Sequence, residues 1–363
     1  MSGRPILIMA GGTGGHVYPA LAVAKALQAH SHDVVWLGTH RGLESRVVPA
    51  AGINMEWINV RGLRRKGLLA MIIAPFRLSW ALLQSLFVIA RRRPAAVLGR
   101  GGFVSGPGGL AAWLTRRPLV IHEQNAAAGL TNRLLARLAR VVLQAFPGSF
   151  NSSVRAETVG NPVREDIAAV AAPEQRYPAR EGRLRLLVLG GSQGALSLNR
   201  TVPAALALLP GDLRPVVRHQ CGSATLDTAR EAYEGSDIEV ELLPFIEDMA
   251  SAYAWADLVV CRAGALTVAE VCAVGLPAVF IPYPSAVDDH QTANAMPMMQ
   301  AGAGTIMQES DLSDESLAAE LRRWLTSREQ LMARAQKARA LARPKALARI
   351  TELCLEQAGD VPC

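Results

Sequence analysis

The residues best suited to chemistry lie in two glycine-rich segments, each of which follows a short apolar run and precedes a helical pattern. Residues 11–15 (GGTGG) follow the run at 6–9, and residues 190–194 (GGSQG) follow the run at 184–189. Backbone amides at such junctions bind anions, because glycine permits close approach and the helix N-terminus carries partial positive charge. One loop alone would be equally consistent with a tight turn. Two loops predict a diphosphate ligand in a cleft between two domains.

His16 directly follows the first glycine segment, at the expected start of a helix. The helix dipole disfavours an imidazolium there, so a neutral ring is expected near pH 7. A neutral imidazole can accept the proton of a hydroxyl nucleophile, which makes His16 a candidate general base. The alternative is a histidine that caps the helix or orients a substrate.

The spacing of the glycines excludes two common nucleotide-binding motifs. A GxGxxG fingerprint that starts at Gly12 requires a third glycine where this chain has Val17, and no acidic residue follows the next strand at residues 37–39. The chain also contains no GxxxxGK[ST] segment, which excludes a P-loop nucleotidase. A phosphorylated sugar nucleotide remains a possible ligand.

Short apolar runs between helical stretches have the pattern of parallel strands buried on both faces. Besides the two runs above, they occupy residues 34–37, 96–98, 119–121, 141–143, 258–260 and 278–281. The alternation predicts two doubly wound α/β domains, with ligands at the carboxyl ends of the strands.

A domain boundary is predicted near residues 160–164 (GNPVR), where proline interrupts regular structure. We assign residues 1–163 to an N-terminal domain and residues 164–340 to a C-terminal domain. Residues 171–182, with two prolines and mixed charges, have the composition of a linker. Residues 341–363 are expected to contain a C-terminal helix that packs back on the N-terminal domain.

The composition indicates an intracellular protein with an anionic partner. The 363 residues carry a formal net charge of +7, and Arg supplies nearly all of the positive charge because Lys occurs only at 25, 66, 337 and 345. Arg binds phosphates through a planar fork. The five cysteines include no CxxC pair, which argues against a disulfide framework or a zinc site and favours a reducing cytoplasm. Few aromatics and no basic-aromatic module argue against nucleic acid.

Residues 61–93 contain a basic cluster, a long apolar stretch and then Arg91-Arg92-Arg93. Pro75, Arg77 and several polar residues interrupt the stretch, so a transmembrane helix is disfavoured. Leucines at 78, 82 and 86 and Ile89 recur at helical spacing, which predicts a partly buried core helix. The sharper prediction is a peripheral patch whose apolar side chains enter the membrane interface while the flanking Arg attract anionic lipids.

Six segments, in order along the chain, resemble the MurG family of glycosyltransferases. They are GGTGGH at 11–16, GRGGFVSGPGG at 99–109, HEQN at 122–125, GNPVR at 160–164, GGSQG at 190–194 and CRAGALTVAE at 261–270. The resemblance implies the GT-B fold, in which two Rossmann-like domains face each other across a cleft. It also implies that the N-terminal domain binds the acceptor and that UDP-N-acetylglucosamine binds mainly to the C-terminal domain.

The resemblance implies roles for individual residues. Asn125 would contact the donor sugar, Arg164 the diphosphate, Glu270 the ribose and Gln291 the sugar hydroxyls, while the backbone of Ile246 would contact uracil. The catalytic candidates are His16, Asn125 and Glu270. The implied donor-binding set is Thr13, Gly14, Gly15, Asn125, Arg164, Ser192, Ile246, Ala265, Leu266, Thr267, Val268, Ala269, Glu270 and Gln291.

The implied reaction is an inverting transfer of N-acetylglucosamine to the C4 hydroxyl of N-acetylmuramoyl-pentapeptide on undecaprenyl pyrophosphate, which converts lipid I to lipid II. No cofactor and no catalytic metal are expected, although Asp288-Asp289-His290 could also be interpreted as metal ligands. The implied partners are UDP-N-acetylglucosamine, lipid I, an anionic membrane surface and other cell-wall synthesis proteins. The implied location is peripheral, at the cytoplasmic face of the bacterial inner membrane.

Two other functions compete with this interpretation. A UDP-N-acetylglucosamine 2-epimerase can share the GT-B fold but would need neither an acceptor nor a membrane patch. A non-catalytic protein of the membrane surface would bind vesicles without binding the UDP-sugar.

Overall fold

The structure is a computed structural model that describes residues 3–12, 14–60, 68–191, 194–284, 289–325 and 327–359, with the backbone alone for 68–72. The chain divides into two compact units. The first unit comprises Met1–Pro162 and Pro344–Cys363, and the second comprises Val163–Arg343.

Helices and strands alternate along both units. The strands are β1 (Ile6–Met9), β2 (Val34–Gly38), β3 (Asn54–Trp57), β4 (Ala96–Gly99), β5 (Leu119–Glu123), β6 (Val141–Gln144), β7 (Ala156–Thr158), β8 (Arg185–Leu189), β9 (Val216–Gln220), β10 (Val240–Leu243), β11 (Leu258–Cys261), β12 (Ala278–Phe280) and β13 (Gly304–Ile306). The α-helices are α1 (Gly14–Ala29), α2 (Glu44–Ala50), α3 (Leu68–Arg92), α4 (Gly102–Leu114), α5 (Leu130–Leu135), α6 (Glu165–Ala168), α7 (Pro173–Arg176), α8 (Leu196–Ala207), α9 (Leu226–Tyr233), α10 (Met249–Trp255), α11 (Ala265–Val274), α12 (His290–Gln300), α13 (Asp314–Trp324), α14 (Arg328–Ala340) and α15 (Ala346–Ala358).

The first unit is built on a parallel sheet. Among its described residues, seven strands follow the order β3-β2-β1-β4-β5-β6-β7. Ile6 pairs with Val34 on one side and with Ala96 on the other, so β1 and β4 lie side by side where the strand order reverses. Loops that leave the carboxyl ends of these two strands are where doubly wound sheets bind ligands.

The second unit repeats this plan. Its described strands form a parallel sheet in the order β10-β9-β8-β11-β12-β13, and Leu186 of β8 pairs with Leu258 of β11 at the reversal. The prediction of two doubly wound parallel-sheet domains is therefore confirmed. All eight apolar runs singled out in the sequence form strands.

The C-terminal helix belongs to the first unit. Ile350, Leu353 and Cys354 of α15 are buried in one cluster with residues of α1 such as Val17 and Leu21. The last part of the chain thereby covers one face of the first sheet, close to the end of β4.

Helix α3 covers the opposite face of the first sheet. Ala81, Val88 and Ile89 are in the core on that side. Of the predicted stripe, Ile89 is buried, and Leu82 and Leu86 are partly buried and pack against the same core. Leu78 does not belong to it, because it is 39% exposed. Ile73–Arg92 is long and apolar enough to cross a membrane by length and composition, yet only 28% of it is buried in the protein.

The predicted linker at 171–182 is wrong. Arg176, at the end of α7, donates hydrogen bonds to the carbonyl oxygens of Ala171, Val274 and Gly275, and it is buried. The buried hydroxyl of Tyr177 donates to the carbonyl oxygen of Asp257 at 2.7 Å. The contacts with Val274, Gly275 and Asp257, all distant in sequence, pack the segment into the second unit, of which it is a part.

Candidate functional site

The first glycine loop is held in place by a buried carboxylate. Glu44 of α2 accepts hydrogen bonds from the amide of Gly12 at 3.0 Å and from the amide and hydroxyl of Thr39 at 3.0 and 2.8 Å. A Cβ atom on Gly11 would lie 2.8 Å from the Glu44 Oε1 atom, so a side chain there would displace the carboxylate. The sequence has no acidic residue directly after β2. Glu44 lies five residues beyond Thr39, and in the folded chain it nevertheless reaches the loop.

His16 lies in the first turn of α1, beside the loop that follows β4. The side-chain nitrogen of Gln124 is 2.7 Å from the Nδ1 atom of His16. A Cβ atom on Gly101 would lie 3.4 Å from the Nε2 atom, and Gly101 has a φ of +81°, which favours glycine. The imidazole is therefore enclosed by the backbone of residues 101–102 on one side and by an amide on the other.

The pKa of His16 is lowered to about 4. Burial is the largest cause, the positive charge of Arg100 adds to it, and the negative charge of Glu44 opposes it. The ring is thus neutral near pH 7, as expected, but for a reason other than the helix dipole. Desolvation and a neighbouring cation, both tertiary in origin, set its charge.

The segment after β5 is organised by Glu123, which is 3% exposed. Its Oε1 atom accepts from the amide and the side-chain nitrogen of Asn125 at 2.9 and 3.2 Å. Its Oε2 atom accepts from the amide of Gly129 at 3.1 Å and from the side-chain nitrogen of Asn132 at 2.9 Å. Glu123 therefore orients the turn that carries Asn125, and Asn125 itself remains a predicted sugar contact.

In the second unit, Glu270 lies on α11, next to Tyr253 of α10. The Tyr253 hydroxyl donates a hydrogen bond to the Oε2 atom of Glu270 at 3.0 Å. Burial raises the pKa of Glu270, while this hydrogen bond and the charge of Arg164 act in the opposite direction. Arg164 is 46% exposed and lies 3.9 Å from Asp166, so its guanidinium stays accessible to a ligand. Two residues predicted to bind the UDP-sugar, Arg164 and Glu270, are thus close enough for the charge of one to act on the other.

Helix α11 begins at Ala265, directly after the Gly264 N-cap. Ala265, Leu266 and Thr267 form its first turn, as predicted for a loop-to-helix junction, and Ala269 is partly exposed. Val268 is 1% exposed, and its amide donates to the carbonyl oxygen of Gly264 at 2.9 Å. Its contact with the donor stays a prediction.

Gln291 connects two loops of the second unit. Its Oε1 atom accepts from the amide of Ala263 at 3.2 Å and from that of Tyr283 at 2.9 Å. The side-chain NH2 group is the part of Gln291 that can contact a sugar hydroxyl. Ile246 is 8% exposed, so its predicted contact with uracil would have to come from the backbone.

The structure describes some of the remaining predicted residues but not others. Gly14 and Gly15 open α1, whereas Thr13, Ser192 and Asp288 lie outside the described residues. Across the part of the chain that the structure describes, no group of three or more His, Cys, Asp or Glu side chains could hold a metal ion.

Comparison with known proteins identifies the family. The profile of the glycosyltransferase family 28 N-terminal domain matches residues 6–144, and that of the C-terminal domain matches residues 185–350. The chain belongs to glycosyltransferase family 28.

Relatives within the family are similar over their full length. A protein of Alkalilimnicola ehrlichii is 60% identical over 98% of this chain and 99% of its own, and one of Nitrosococcus oceani is 56% identical over the same shares. Both are named UDP-N-acetylglucosamine–N-acetylmuramyl-(pentapeptide) pyrophosphoryl-undecaprenol N-acetylglucosamine transferase.

Solved structures agree with this assignment. The crystal structure of Acinetobacter baumannii MurG has a TM-score of 0.86 and is 40% identical, covering 97% of this chain and 99% of that one. A putative UDP-N-acetylglucosamine 2-epimerase from Listeria monocytogenes has a TM-score of 0.65 but is only 16% identical, so it shares the fold alone. The GT-B prediction and the predicted MurG-family resemblance are thereby confirmed.

Proposed function

We propose that this chain is the transferase that moves N-acetylglucosamine from UDP-N-acetylglucosamine to the C4 hydroxyl of lipid I and so produces lipid II. The observation that carries the proposal is 60% identity, over 98% of the chain, to a relative named for this transfer. The first unit would bind the acceptor, and the UDP-sugar would bind mainly to the second.

In the acceptor half, His16 is the proposed base. If the Gln124 amide nitrogen donates to Nδ1, the neutral ring carries its proton on Nε2. Turning the amide by 180° lets the Gln124 Oε1 atom, which is buried without a hydrogen-bond partner among the described residues, accept from Nδ1–H instead. This orientation leaves the Nε2 lone pair of His16 available for a substrate proton.

In the donor half, Glu270 would accept hydrogen bonds from the ribose hydroxyls, because only an ionised carboxylate offers acceptors to both. The exposed guanidinium of Arg164 would neutralise charge on the departing diphosphate. The NH2 group of Gln291, together with Asn125, would contact the sugar. The first turn of α11 and the two glycine loops, with Thr13, Gly14, Gly15 and Ser192, would supply amides and hydroxyls to the donor.

The chemical step is a single displacement at the anomeric carbon. The C4 oxygen of the acceptor forms the new bond as the bond from the anomeric carbon to the diphosphate oxygen breaks, and the configuration inverts. The hydroxyl proton passes to His16, and the electron pair of the broken bond leaves with UDP. No covalent enzyme intermediate is needed.

The test uses labelled UDP-N-acetylglucosamine, with and without a water-soluble lipid I analogue, followed by separation of the products. Label in a disaccharide-pentapeptide product, only when the acceptor is present, is the expected result. Release of UDP with a 2-epimerised sugar in the absence of acceptor would contradict the proposal. Binding of the nucleotide without turnover under either condition would also contradict it.

The first unit also carries an exposed apolar surface, which consists of Phe76, Trp80, Leu83 and Phe87 on α3. They are 76%, 57%, 57% and 66% exposed and follow one another at intervals of three or four residues, so they share one helix face. Arg77 and Arg91 flank them and are exposed. Because the other face of α3 packs in the core, the helix would lie in the membrane interface rather than cross the bilayer.

This surface would place the enzyme peripherally at the cytoplasmic face of the inner membrane, beside its lipid-linked acceptor. Trp80→Ser combined with Phe87→Ser should reduce binding to phosphatidylglycerol vesicles at low salt at least tenfold, because two large apolar side chains no longer enter the interface. Turnover of a water-soluble acceptor should stay near wild type. Leu208→Ser, at a residue 50% exposed in the second unit, is the matched control. Unchanged vesicle binding by the double variant would refute the assignment.

A further inference from the structure

The segment that joins β11 to α11 is held by two side chains of α12. The amide of Ala263 donates a hydrogen bond to the Oε1 atom of Gln291 at 3.2 Å. The side-chain nitrogen of Asn294 donates to the carbonyl oxygen of Ala263 at 3.1 Å. Gln291 and Asn294 are three residues apart, so they lie on one face of the helix. Both polar backbone groups of Ala263 are therefore fixed by α12.

Asn294 holds this segment from inside the packed second unit. Its exposed fraction is 0%, so its amide has little room to turn away from Ala263. Near the other end of the same two helices, the Sγ atom of Cys272 lies 3.4 Å from the Sδ atom of Met298, and both residues are buried. The contact between α11 and α12 thus extends along both helices, which keeps Asn294 in place relative to the start of α11.

The contact with Asn294 also determines where the next amide points. In a trans peptide group the N–H points opposite to the C=O. Because the carbonyl of Ala263 points at α12, the amide of Gly264 points away from α12. In the sheet, β11 lies between β12 and β8, and α12 packs against β13, so this direction leads towards β8. The carboxyl ends of β8 and β11 are where the strand order reverses and where a doubly wound sheet binds ligands.

Gly264 offers its amide to a ligand. It is the N-cap of α11, so its N–H is one of those that a helix cannot satisfy internally. Within the described residues, this N–H donates no hydrogen bond. Its φ of −61° and ψ of 140° suit any residue, so the backbone conformation does not require glycine. Among the described atoms, a Cβ atom there would meet only the Oγ1 atom of Thr267, at 3.5 Å, so the space beside the amide is open.

We propose that the amide of Gly264 donates a hydrogen bond to the diphosphate of the sugar nucleotide, and that Asn294 is the positioning residue that directs this amide. The inference rests on the proposed function, in which the first turn of α11 contacts the donor. A phosphate oxygen accepts strongly from a backbone amide at a helix start, because the bond is charge-assisted and the helix dipole adds to it. Glycine lets the phosphate approach the backbone without a side chain in between.

Helix α12 also carries the proposed contact with the sugar. The Oε1 atom of Gln291 binds the amide of Ala263, which leaves the NH2 group of Gln291 for a sugar hydroxyl. Asn294, one turn further along the helix, binds the carbonyl of the same residue. The two side chains therefore keep the sugar contact and the diphosphate contact at a fixed separation.

The decisive comparison is Gly264→Pro against Gly264→Ala. Proline fits the observed φ and removes the amide hydrogen, whereas alanine keeps it. We expect the Kd for UDP, measured by calorimetry on the full chain, to be about tenfold higher for the proline variant than for the alanine variant. The Kd for uridine, measured by NMR titration, should be equal in the two variants, because uridine has no diphosphate.

A second pair of variants tests the positioning residue and decides the matter if the proline variant does not fold. Asn294→Ser shortens the side chain and releases the carbonyl group, so it should lower the Tm and raise the Kd for UDP about three- to tenfold. Asn199→Ser is the matched control. Asn199 is also 0% exposed, and its side-chain nitrogen donates to the carbonyl oxygens of Cys221 and Thr225 at 3.0 and 3.1 Å. This control should lower the Tm by a similar amount and leave the Kd for UDP unchanged.

Equal Kd values for UDP in Gly264→Pro and Gly264→Ala would overturn the proposal. A loss of uridine affinity as large as the loss of UDP affinity would also overturn it, because the whole site would then be damaged. Equal UDP binding by Asn294→Ser and Asn199→Ser would overturn the role of Asn294. Failure of the proposed function is separate, since wild type would then transfer no sugar to the lipid I analogue while UDP binding by the variants still decides this inference.

Discussion

The two units share one strand order but carry different titratable groups at the point where that order reverses. In the first unit, burial and Arg100 hold His16 neutral, with a pKa of about 4. In the second, burial raises the pKa of Glu270, while Tyr253 and Arg164 favour its ionised form. The shared strand order determines where a ligand can bind. The side chains that follow the central strands determine whether the site can accept a proton or bind a nucleotide.

The loops of the two units are also braced by opposite charges. A carboxylate, Glu44, holds the first glycine loop through backbone and hydroxyl donors. In the second unit a guanidinium, Arg262, donates to the carbonyl oxygens of Ile281 and Pro282 and pairs with Glu309.

The largest effect is expected from the substitution His16→Ala, which tests the proposed role of the first unit. If the neutral imidazole is the base, kcat should fall about 10²- to 10⁴-fold, since general-base catalysis contributes that much. Calorimetric affinity for UDP should change little, because the residues proposed to contact uracil, ribose and diphosphate (Ile246, Glu270 and Arg164) lie in the second unit. His30→Ala, at an exposed histidine just beyond the end of α1, should behave as wild type. Near-normal turnover by His16→Ala would remove the acceptor half of the comparison.

The corresponding change in the donor half is Glu270→Ala. Loss of charge-assisted hydrogen bonds to the ribose should raise the KM for UDP-N-acetylglucosamine about 10- to 100-fold, with a smaller effect on kcat. Steady-state kinetics at saturating acceptor measure both constants. Glu329→Ala, at an exposed position of α14, is the control. An unchanged donor KM would mean that Glu270 does not bind the nucleotide.

The two halves should also respond differently to acid. Donor binding requires ionised Glu270, so UDP affinity should weaken as pH falls, towards the level of the Ala variant. Because burial raises the pKa of this carboxyl, the weakening should begin at a higher pH than for an ordinary glutamate. The neutral state of His16 should persist down to about pH 4. Calorimetry of UDP binding from pH 8 to pH 5 checks this order, and pH-independent binding would contradict it.

The smallest expected effect comes from Tyr253→Phe. The hydroxyl hydrogen bond to Glu270 favours the carboxylate, so its removal should raise the pKa of Glu270 further. The donor KM should rise about two- to tenfold at neutral pH, since one hydrogen bond contributes roughly 0.5–1.5 kcal/mol. The effect should diminish at alkaline pH, where Glu270 ionises without help. An effect that is equal at all pH values would indicate a packing defect instead.

Some strands escaped sequence analysis for reasons visible in their residues. Strand β3 contains Asn54 and Glu56, and β9 ends Arg218-His219-Gln220, so neither forms a continuous apolar run. The strand β13 has only three residues. Edge strands and strands with one accessible face tolerate such polar positions. The central strands β1, β4 and β11 are uninterrupted apolar runs, and β8 has one charged residue, Arg185, at its start.

The sequence by itself determined the two doubly wound halves, the glycine loops, the family motifs and the presence of His16 at a helix start, because these depend on residues near one another along the chain. Only the tertiary structure showed that Glu44 binds the first loop, that Gln124 contacts His16 from 108 residues away, and that Arg100 is fully buried. Charge state and orientation depend on desolvation and on distant partners. No local sequence pattern specifies the charge state or the orientation of a side chain. Both can therefore be determined only from the folded structure, in which distant residues are in contact.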